Sequence, residues 1–442
     1  MNAAPGGGPG TGEAEEERLV WPGVAAHFAD LTQAGALPGL GVAVSGGGDS
    51  LALLVLLDDW RRRGGGPDLA VATVDHGLRA DAEDEAGQVG AFCARFGLAH
   101  DTLHWRGWDG RGNLQDAARR ARYGLLAEWA ASRGLAHVAL AHTADDLAET
   151  LLMRLARRAG LDGLSAMAAR SCRHGVTFHR PALHLQRAEL RALLRARGIG
   201  WAEDPSNADP AFARVRARQV LAALAPLGLD ADDLATVARR LSDDRDTIRH
   251  YVAQAGGDLT RMQGGDLLIA RDGFAALPVG VARRLLVQGL RWIGGAEYAP
   301  RAAPLDALVQ GLRCGQGGGT LAGCLITMED TALRIAREAQ AVAGLRGLPG
   351  AAWDGRWRMV PPAGMTLPEG AEVAALGDAG LAELGDAWRQ AGVPRSSARA
   401  LPAAWRGGDL LAAPLTGHPA SWRADLMRDH AGFLHALAAA DA

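Results

Sequence analysis

The sequence predicts an α/β protein: a doubly wound parallel sheet in the N-terminal half, then a mainly helical middle domain and a small mixed α/β C-terminal domain. Three observations carry this. Residues 40–57 read LGVAVSGGGDSLALLVLL, a short apolar run, a glycine turn and an apolar helical run. β-rich runs alternate with helical segments as far as residue 158, the rhythm of βα units. Past residue 208 the pattern changes to long helical stretches with Arg/Asp faces, and later to short β-like runs.

The elements follow in order. Residues 22–34 read as a lead-in helix, 40–44 as the first strand and 51–63 as the first helix. Gly64-Gly65-Gly66-Pro67 closes that helix. LAVATV at 69–74 is the second strand. Residues 81–96 set acids against an apolar face, as a surface helix does. A strand at 99–105, a helix at 113–132, a strand at 136–141 and a helix at 143–158 complete the alternation. Such an alternation builds a parallel sheet covered on both faces, with ligands at the carboxyl ends of its strands. Residues 178–183 are expected at a sheet edge, because Pro181 disfavours a central strand. A helix is expected at 186–197, and mostly helix over 208–254. Beyond lie a strand or helix end at 267–271, helices at 277–292 and 304–313, and a hairpin at 317–337. Gly-rich 345–351 reads as a linker, and WDGRWRMV and DLLAAP after it as strands.

The chain has 442 residues, 48% of them apolar, enough for two to four domains with real cores. Residues 1–18 are Gly/Pro-rich, then acidic, and are expected to be a disordered tail without the features of a signal peptide. No apolar run is long enough to span a bilayer. Cys93, Cys172, Cys314 and Cys324 make no CxxC pair, which fits a reducing cytoplasm and offers no zinc or iron–sulfur site. The net charge of −3 argues against a uniformly basic nucleic-acid binder. Yet residues 154–220 hold 13 arginines against 5 acids, and a local basic face suffices to bind phosphates.

Five constellations carry chemistry. Ser45, Gly46, Gly47, Gly48, Asp49 and Ser50 lie where a strand meets a helix N-terminus, so backbone N–H groups and the helix dipole aim at one point suited to phosphate. Asp49 is placed to hold Mg²⁺ against the same phosphates. The Walker GxxxxGK[ST] pattern is absent, and the chain contains no lysine at all. Next, His142-Thr143-Ala144-Asp145-Asp146-Leu147-Ala148-Glu149-Thr150 leaves the fourth strand. Thr143 with Asp146 fits a capping box, while Asp145 and Asp146 each crowd Glu149, which calls for a cation, either Mg²⁺ or an arginine. Capping is the plainer reading of these residues alone. Arg119 and Arg122 share a helix face, as a solvated stripe or as charge stabilisation at phosphorus. His76 follows the second strand, where a nucleoside is commonly met. WAEDPSN at 201–207 precedes Arg214, Arg216 and Arg218, a turn before a basic helix suited to phosphate contact.

SGGGDS is similar to the SGGxDS signature of the PP-loop ATP pyrophosphatases, whose domain is adenine nucleotide alpha hydrolase-like. The motifs taken together resemble the tRNA(Ile)-lysidine synthase family. Their order is SGGxDS, VDHGLR, ARxxRY, HxxDDxxET, GLxxM, RP and WxEDPSN with its arginine cluster, over residues 38–220. Weaker likenesses follow at TLAGC (320–324), WDGR (353–356) and LPAAW (401–405).

The resemblance implies an ATP-dependent carbon–nitrogen ligase of the cytoplasm acting on tRNA(Ile) with a CAU anticodon. The wobble cytosine O2 attacks the ATP α-phosphate and diphosphate leaves; the ε-amine of free L-lysine then attacks C2 and AMP leaves. It implies a catalytic domain over 19–210, a tRNA-contacting domain over 211–344 and a small domain over 345–442, and it admits a homodimer. Residues 45–50 and His76 are then the ATP site. Asp49 and Asp146 are the Mg²⁺ ligands, and Arg119, His142, Asp145 and Asp146 the catalytic set. Arg214, Arg216 and Arg218 are the tRNA contacts. Asp146, with His142 nearby, is assigned to activate lysine, whose amine has a pKa of about 10.4. The chain departs from the family pattern at Thr143, Leu147, Arg158 and Val215. The rival from the same superfamily is a tRNA thiolase, whose sulfur chemistry calls for cysteines that are not paired here. A non-catalytic nucleotide-binding module is the rival from another class.

Overall fold

The computed structural model describes residues 22–77, 82–108, 110, 114–203, 209, 211–296, 298–419 and 421–439. The expected tail over 1–18 and the segment 204–207 of the WAEDPSN motif lie outside these. The chain forms two compact units that divide between Arg245 and Asp246. The expected boundary at 210/211 falls inside the first unit.

The first unit is built on six strands: β1 (Gly39–Ala43), β2 (Asp68–Asp75), β3 (Ala99–His104), β4 (His137–Leu140), β5 (Arg170–Arg173) and β6 (Val176–His179). Their order is β3-β2-β1-β4-β6-β5, parallel throughout except for the β5–β6 hairpin. The connections reverse direction between β1 and β4, which makes the carboxyl ends of these two strands the switch point where a doubly wound sheet takes its ligand. Helices α1 (Gly48–Arg62), α2 (Ala82–Phe96), α3 (Leu114–Ser132), α4 (Ala144–Ala156), α5 (Arg187–Ala196) and α6 (Ala213–Leu224) surround it.

Each face has its own core. On one, α1 packs with Val89 of α2, Leu190 and Leu194 of α5 and the lead-in residues Val24 and Phe28. Residues 50–58 of α1 are all buried, so this helix is an interior one, as its near-continuous apolar run requires. On the other, Tyr123, Leu126 and Trp129 of α3 cover Val138, Leu140 and Phe178.

One strand differs from expectation. The strand read at 178–183 occupies Val176–His179, ends before Pro181, and lies inside the sheet between β4 and β5. The edge belongs to β5, which the reading lacked. Its turn is His174-Gly175, with φ of 51° and 79°, the doubly positive geometry of a tight hairpin.

The second unit carries a five-stranded antiparallel sheet: β7 (Thr260–Gln263), β8 (Asp266–Ala270), β9 (Gly319–Leu321), β10 (Cys324–Met328) and β11 (Ala332–Arg337), in the order β7-β8-β11-β10-β9. Apolar residues of α7 (Val279–Gly294) and α8 (Ala302–Arg313) share its core. The 317–337 hairpin is thus three strands, and the stretch expected to be mainly helical contains a sheet. Beyond it, two three-stranded sheets share a core with buried Trp353, Trp357, Trp405 and Trp422. The expected linker is tied into this core by paired bonds between Gly347 and Val373 at 2.9 and 2.7 Å. No helix among the described residues is long and apolar enough to cross a membrane.

Candidate active site

The loop after β1 is shaped by its own hydroxyls. Ser50 Oγ accepts from the Ser45 amide at 3.1 Å and donates to the Gly47 carbonyl at 2.9 Å, so this hydroxyl braces the turn. Gly46 has φ +84°, a conformation that a side chain would strain. Gly48 lies under the indole of Trp201, where a Cβ would come within 3.3 Å of Cδ1. Gly47 is the N-cap of α1 and provides no side-chain cap, which leaves the first-turn N–H groups for an anion. Gly47, Gly48, Asp49 and Ser50 form one wall of a cavity of about 260 Å³. Ala141 and His142, after β4, form another wall, as the switch point dictates.

Four carboxylates meet at one cation. The guanidinium of Arg187 lies 3.0 Å from Asp49, 3.7 Å from Asp145, 3.6 Å from Asp146 and 3.2 Å from Glu149. The Arg187 amide also donates to Asp145 Oδ2 at 2.7 Å. Glu149 is fully buried and accepts at Oε1 from Arg218 Nε at 2.6 Å as well, while its Oε2 has no partner. Burial pushes the Arg187 pKa down, but Asp146, Glu149, Asp49 and Asp145 together raise it, so the hub is firmly cationic.

The capping box read at Thr143 is present, and the same carboxylate reaches the cavity. Asp146 Oδ2 accepts from the Thr143 amide at 3.0 Å and its hydroxyl at 3.2 Å, and Thr143 Oγ1 accepts from the Asp146 amide at 3.4 Å. Oδ1 faces Arg187. Burial pushes Asp146 up, but Arg187, the Thr143 amide and Arg214 outweigh it and hold the carboxyl below its usual range. Asp49 moves the other way, raised by burial against the opposing pull of Arg187. His142 is lowered to about 3 by burial, so its ring is neutral, and its Nδ1 is buried without a partner.

The remaining predicted residues separate. Arg122 and Arg214 line the cavity. Arg119 is exposed and stands over the Tyr123 ring at 5.5 Å, outside the lining, so the cation of α3 in the cavity is Arg122. Arg218 is engaged by Glu149, which turns it into the cavity. Arg216 is exposed and donates to the Ala211 carbonyl. His76 packs edge-on to Trp105 and does not line the cavity. None of the four cysteines lines it either.

Arg187 was missed by the sequence reading, and a signal for it existed. It opens the first turn of α5, where a cation opposes the helix dipole and needs another reason to be there. The unresolved crowding of Asp145, Asp146 and Glu149 had asked for such a group.

Among the described residues no group of three or more His, Cys, Asp or Glu is arranged to hold a metal ion unaided. Asp49 Oδ2 and Asp146 Oδ1 nevertheless converge on one cation position, that of the Arg187 guanidinium. Two carboxylates completed by substrate phosphates and water are a donor set that suits Mg²⁺.

Sheet order, glycine loop and switch-point cavity define a PP-loop nucleotide-binding domain, and the family model described as the PP-loop domain matches residues 23–224. A tRNA(Ile)-lysidine synthase of Ruegeria pomeroyi is 50% identical over 398 residues, 90% of this chain and 93% of that protein. One from a Bradyrhizobium species is 40% identical over 344 residues, covering 73% and 93%. One from Rhizobium meliloti is 38% identical over 338 residues, covering 72% of each. The chain belongs to the tRNA(Ile)-lysidine synthase family.

Proposed function

We propose that this chain joins free L-lysine to C2 of the wobble cytidine in the CAU anticodon of tRNA(Ile), at the expense of ATP. In the first step cytosine O2 bonds to the α-phosphorus and the bond to diphosphate breaks. In the second the lysine ε-amine bonds to C2, AMP leaves with O2, and the amine gives up a proton. The observation that supports this best is that one cavity is lined by the N-terminus of α1, the acids Asp49 and Asp146, and the arginines Arg122 and Arg214.

The loop amides of residues 46–50 are placed to take the leaving diphosphate. Arg122 replaces Arg119 as the group that balances charge at the α-phosphorus, with Arg214 beside it. Asp49 and Asp146 would hold Mg²⁺, which when bound would supply charge neutralisation along the phosphates. Asp146, held ionised, orients the incoming ammonium and is assigned its proton, with neutral His142 beside it. The target base must leave its stack to enter, which single-stranded loops allow cheaply. Arg119 and Arg173 stack on Tyr123, and with Arg216 they are suited to the tRNA backbone. The thiolase alternative finds no cysteine at the cavity.

The test is direct. Protein, ATP, labelled lysine and unmodified tRNA(Ile) should yield labelled lysidine on nucleoside analysis, with one AMP and one diphosphate per product. Diphosphate release without lysine incorporation would overturn the second step, and neither product the whole reading.

A further inference from the structure

The position that a divalent ion would take is held by a side chain. Arg187 Nε donates to Asp49 Oδ2 at 3.0 Å, and its Nη2 lies 3.6 Å from Asp146 Oδ1. These are the two oxygens assigned above to Mg²⁺. A guanidinium and a hydrated divalent ion cannot both occupy the space between them. The other contacts, to Asp145 and Glu149, lie on the same guanidinium, so its charge is shared by four carboxylates. Glu149 is fully buried, with Oε2 unpartnered, so the cluster depends on cations for its neutrality.

We propose that Arg187 is a resident counter-ion. It closes the acid cluster to free divalent metal and yields Asp49 and Asp146 only when the phosphates of ATP arrive to receive its guanidinium. Three features carry this. The side chain is largely shielded, at 15% relative exposure, and therefore held rather than waving in solvent. It lies on the first turn of α5, while the acids belong to α1 and α4, so its withdrawal leaves both acid-bearing helices in place. The cavity it lines also contains the open N-terminus of α1, the nearest destination for a triphosphate. Arginine suits this exchange, because one planar fork serves carboxylate and phosphate equally well. Metal then enters as part of the nucleotide complex, and no metal-loaded, nucleotide-free state accumulates. Arg187 is a positioning residue in this account.

The inference rests on the Mg²⁺ assignment above but not on tRNA or lysine, so its test uses neither. Mn²⁺ binding to the full chain is followed by electron paramagnetic resonance, with and without a non-cleavable α,β-methylene ATP. The wild type should take up Mn²⁺ weakly alone and far more tightly with the analogue. Arg187→Gln should bind Mn²⁺ without nucleotide at least about tenfold more tightly than the wild type, the equivalent of one charge-assisted hydrogen bond removed from competition. The enhancement by the analogue should shrink in step. Arg187→Lys keeps the charge but not the fork, so it should fall between the two and covers the case in which the glutamine variant does not fold. Mn²⁺ affinity unchanged in a variant with native circular dichroism would overturn the proposal. So would tight nucleotide-free Mn²⁺ binding by the wild type. Failure of the lysine-incorporation assay would leave this result standing.

Discussion

Glu149→Gln tests whether the buried cluster is held by charge. The carboxylate is fully buried, and Oε1 alone accepts from Arg187 Nη1 at 3.2 Å and Arg218 Nε at 2.6 Å. Glutamine keeps an acceptor there, and its NH₂ falls where Oε2 has no partner, so shape is preserved while one negative charge is lost. Stranding a buried charge completely costs about 3–5 kcal/mol. Here Arg187 retains three carboxylates and Arg218 is one-third exposed, so about 2–3 kcal/mol is expected. For a unit of this size that is a loss of roughly 4–12 °C in melting temperature. The assay is thermal unfolding read on the transition that ATP stabilises, since two units need not melt together. Glu149→Ala should be worse, because it adds a cavity to the lost charge. A glutamine variant that melts within about a degree of the wild type would refute the claim that charge, rather than packing, holds these helices together.

Other outcomes follow from the same geometry. Asp49→Asn should abolish AMP and diphosphate formation while tRNA still binds; full turnover would remove Asp49 from the metal site. Arg122→Ala should slow the first step by about 10²–10³, the scale of one lost charge-stabilising donor, whereas Arg119→Ala should leave that step alone and reduce the salt slope of tRNA binding by about 1. Equal effects on the first step would erase the distinction between the two arginines. Acid should destabilise the fold through a histidine chain: His179 bonds His27 and His137 at 3.0 Å each, and burial lowers His179 to about 3 and His27 to about 4. These rings stay neutral in the fold but are protonated in the unfolded chain below about 6.5, so stability is full above that pH and falls toward pH 3–4, by about 2 kcal/mol at pH 5 from His179 alone. Denaturant melts of His179→Asn should show a flatter acid limb, and an unchanged limb would count against the chain's role.

Much of the first unit is legible because its signals are local. The apolar run at 51–57 and the glycine stop at 64–67 mark α1, and β1 to β4 fall within a residue or two of their expected spans. β5 escaped because Arg170–Arg173 is a polar four-residue strand joined to β6 by a two-residue His-Gly turn, with little hydrophobic contrast to mark it. In the second unit β7 and its pairing with β8 escaped for a related reason. β7 is a four-residue strand that directly continues a long helix, and only the Gly264-Gly265 turn marks it off from β8. At the site, residues 45–50 and 142–149 were readable because each works through its own helix start. Arg187 and the turning-in of Arg218 were not, because both depend on Glu149, an acid remote in sequence whose burial no periodicity predicts. Arg119 and Arg122 share one helix face, so spacing cannot say which of them meets the cavity; only the packing of α3 decides.

Asp146 shows why capping and chemistry need not compete. Its Oδ2 is committed to the Thr143 amide and hydroxyl, which satisfies a first-turn donor of α4 and locks the side chain against the helix start. That lock fixes where Oδ1 lies. A catalytic oxygen must be held within about 0.5 Å of its productive place, and a free carboxylate rotor would not be. Ser50 works in the same way, spending its hydroxyl on Ser45 and Gly47 so that the loop amides keep their aim. In the proposed mechanism both structural roles are the means by which the reactive geometry is held. A capping signature at the switch point of such a sheet is therefore evidence for a positioned acid rather than against one.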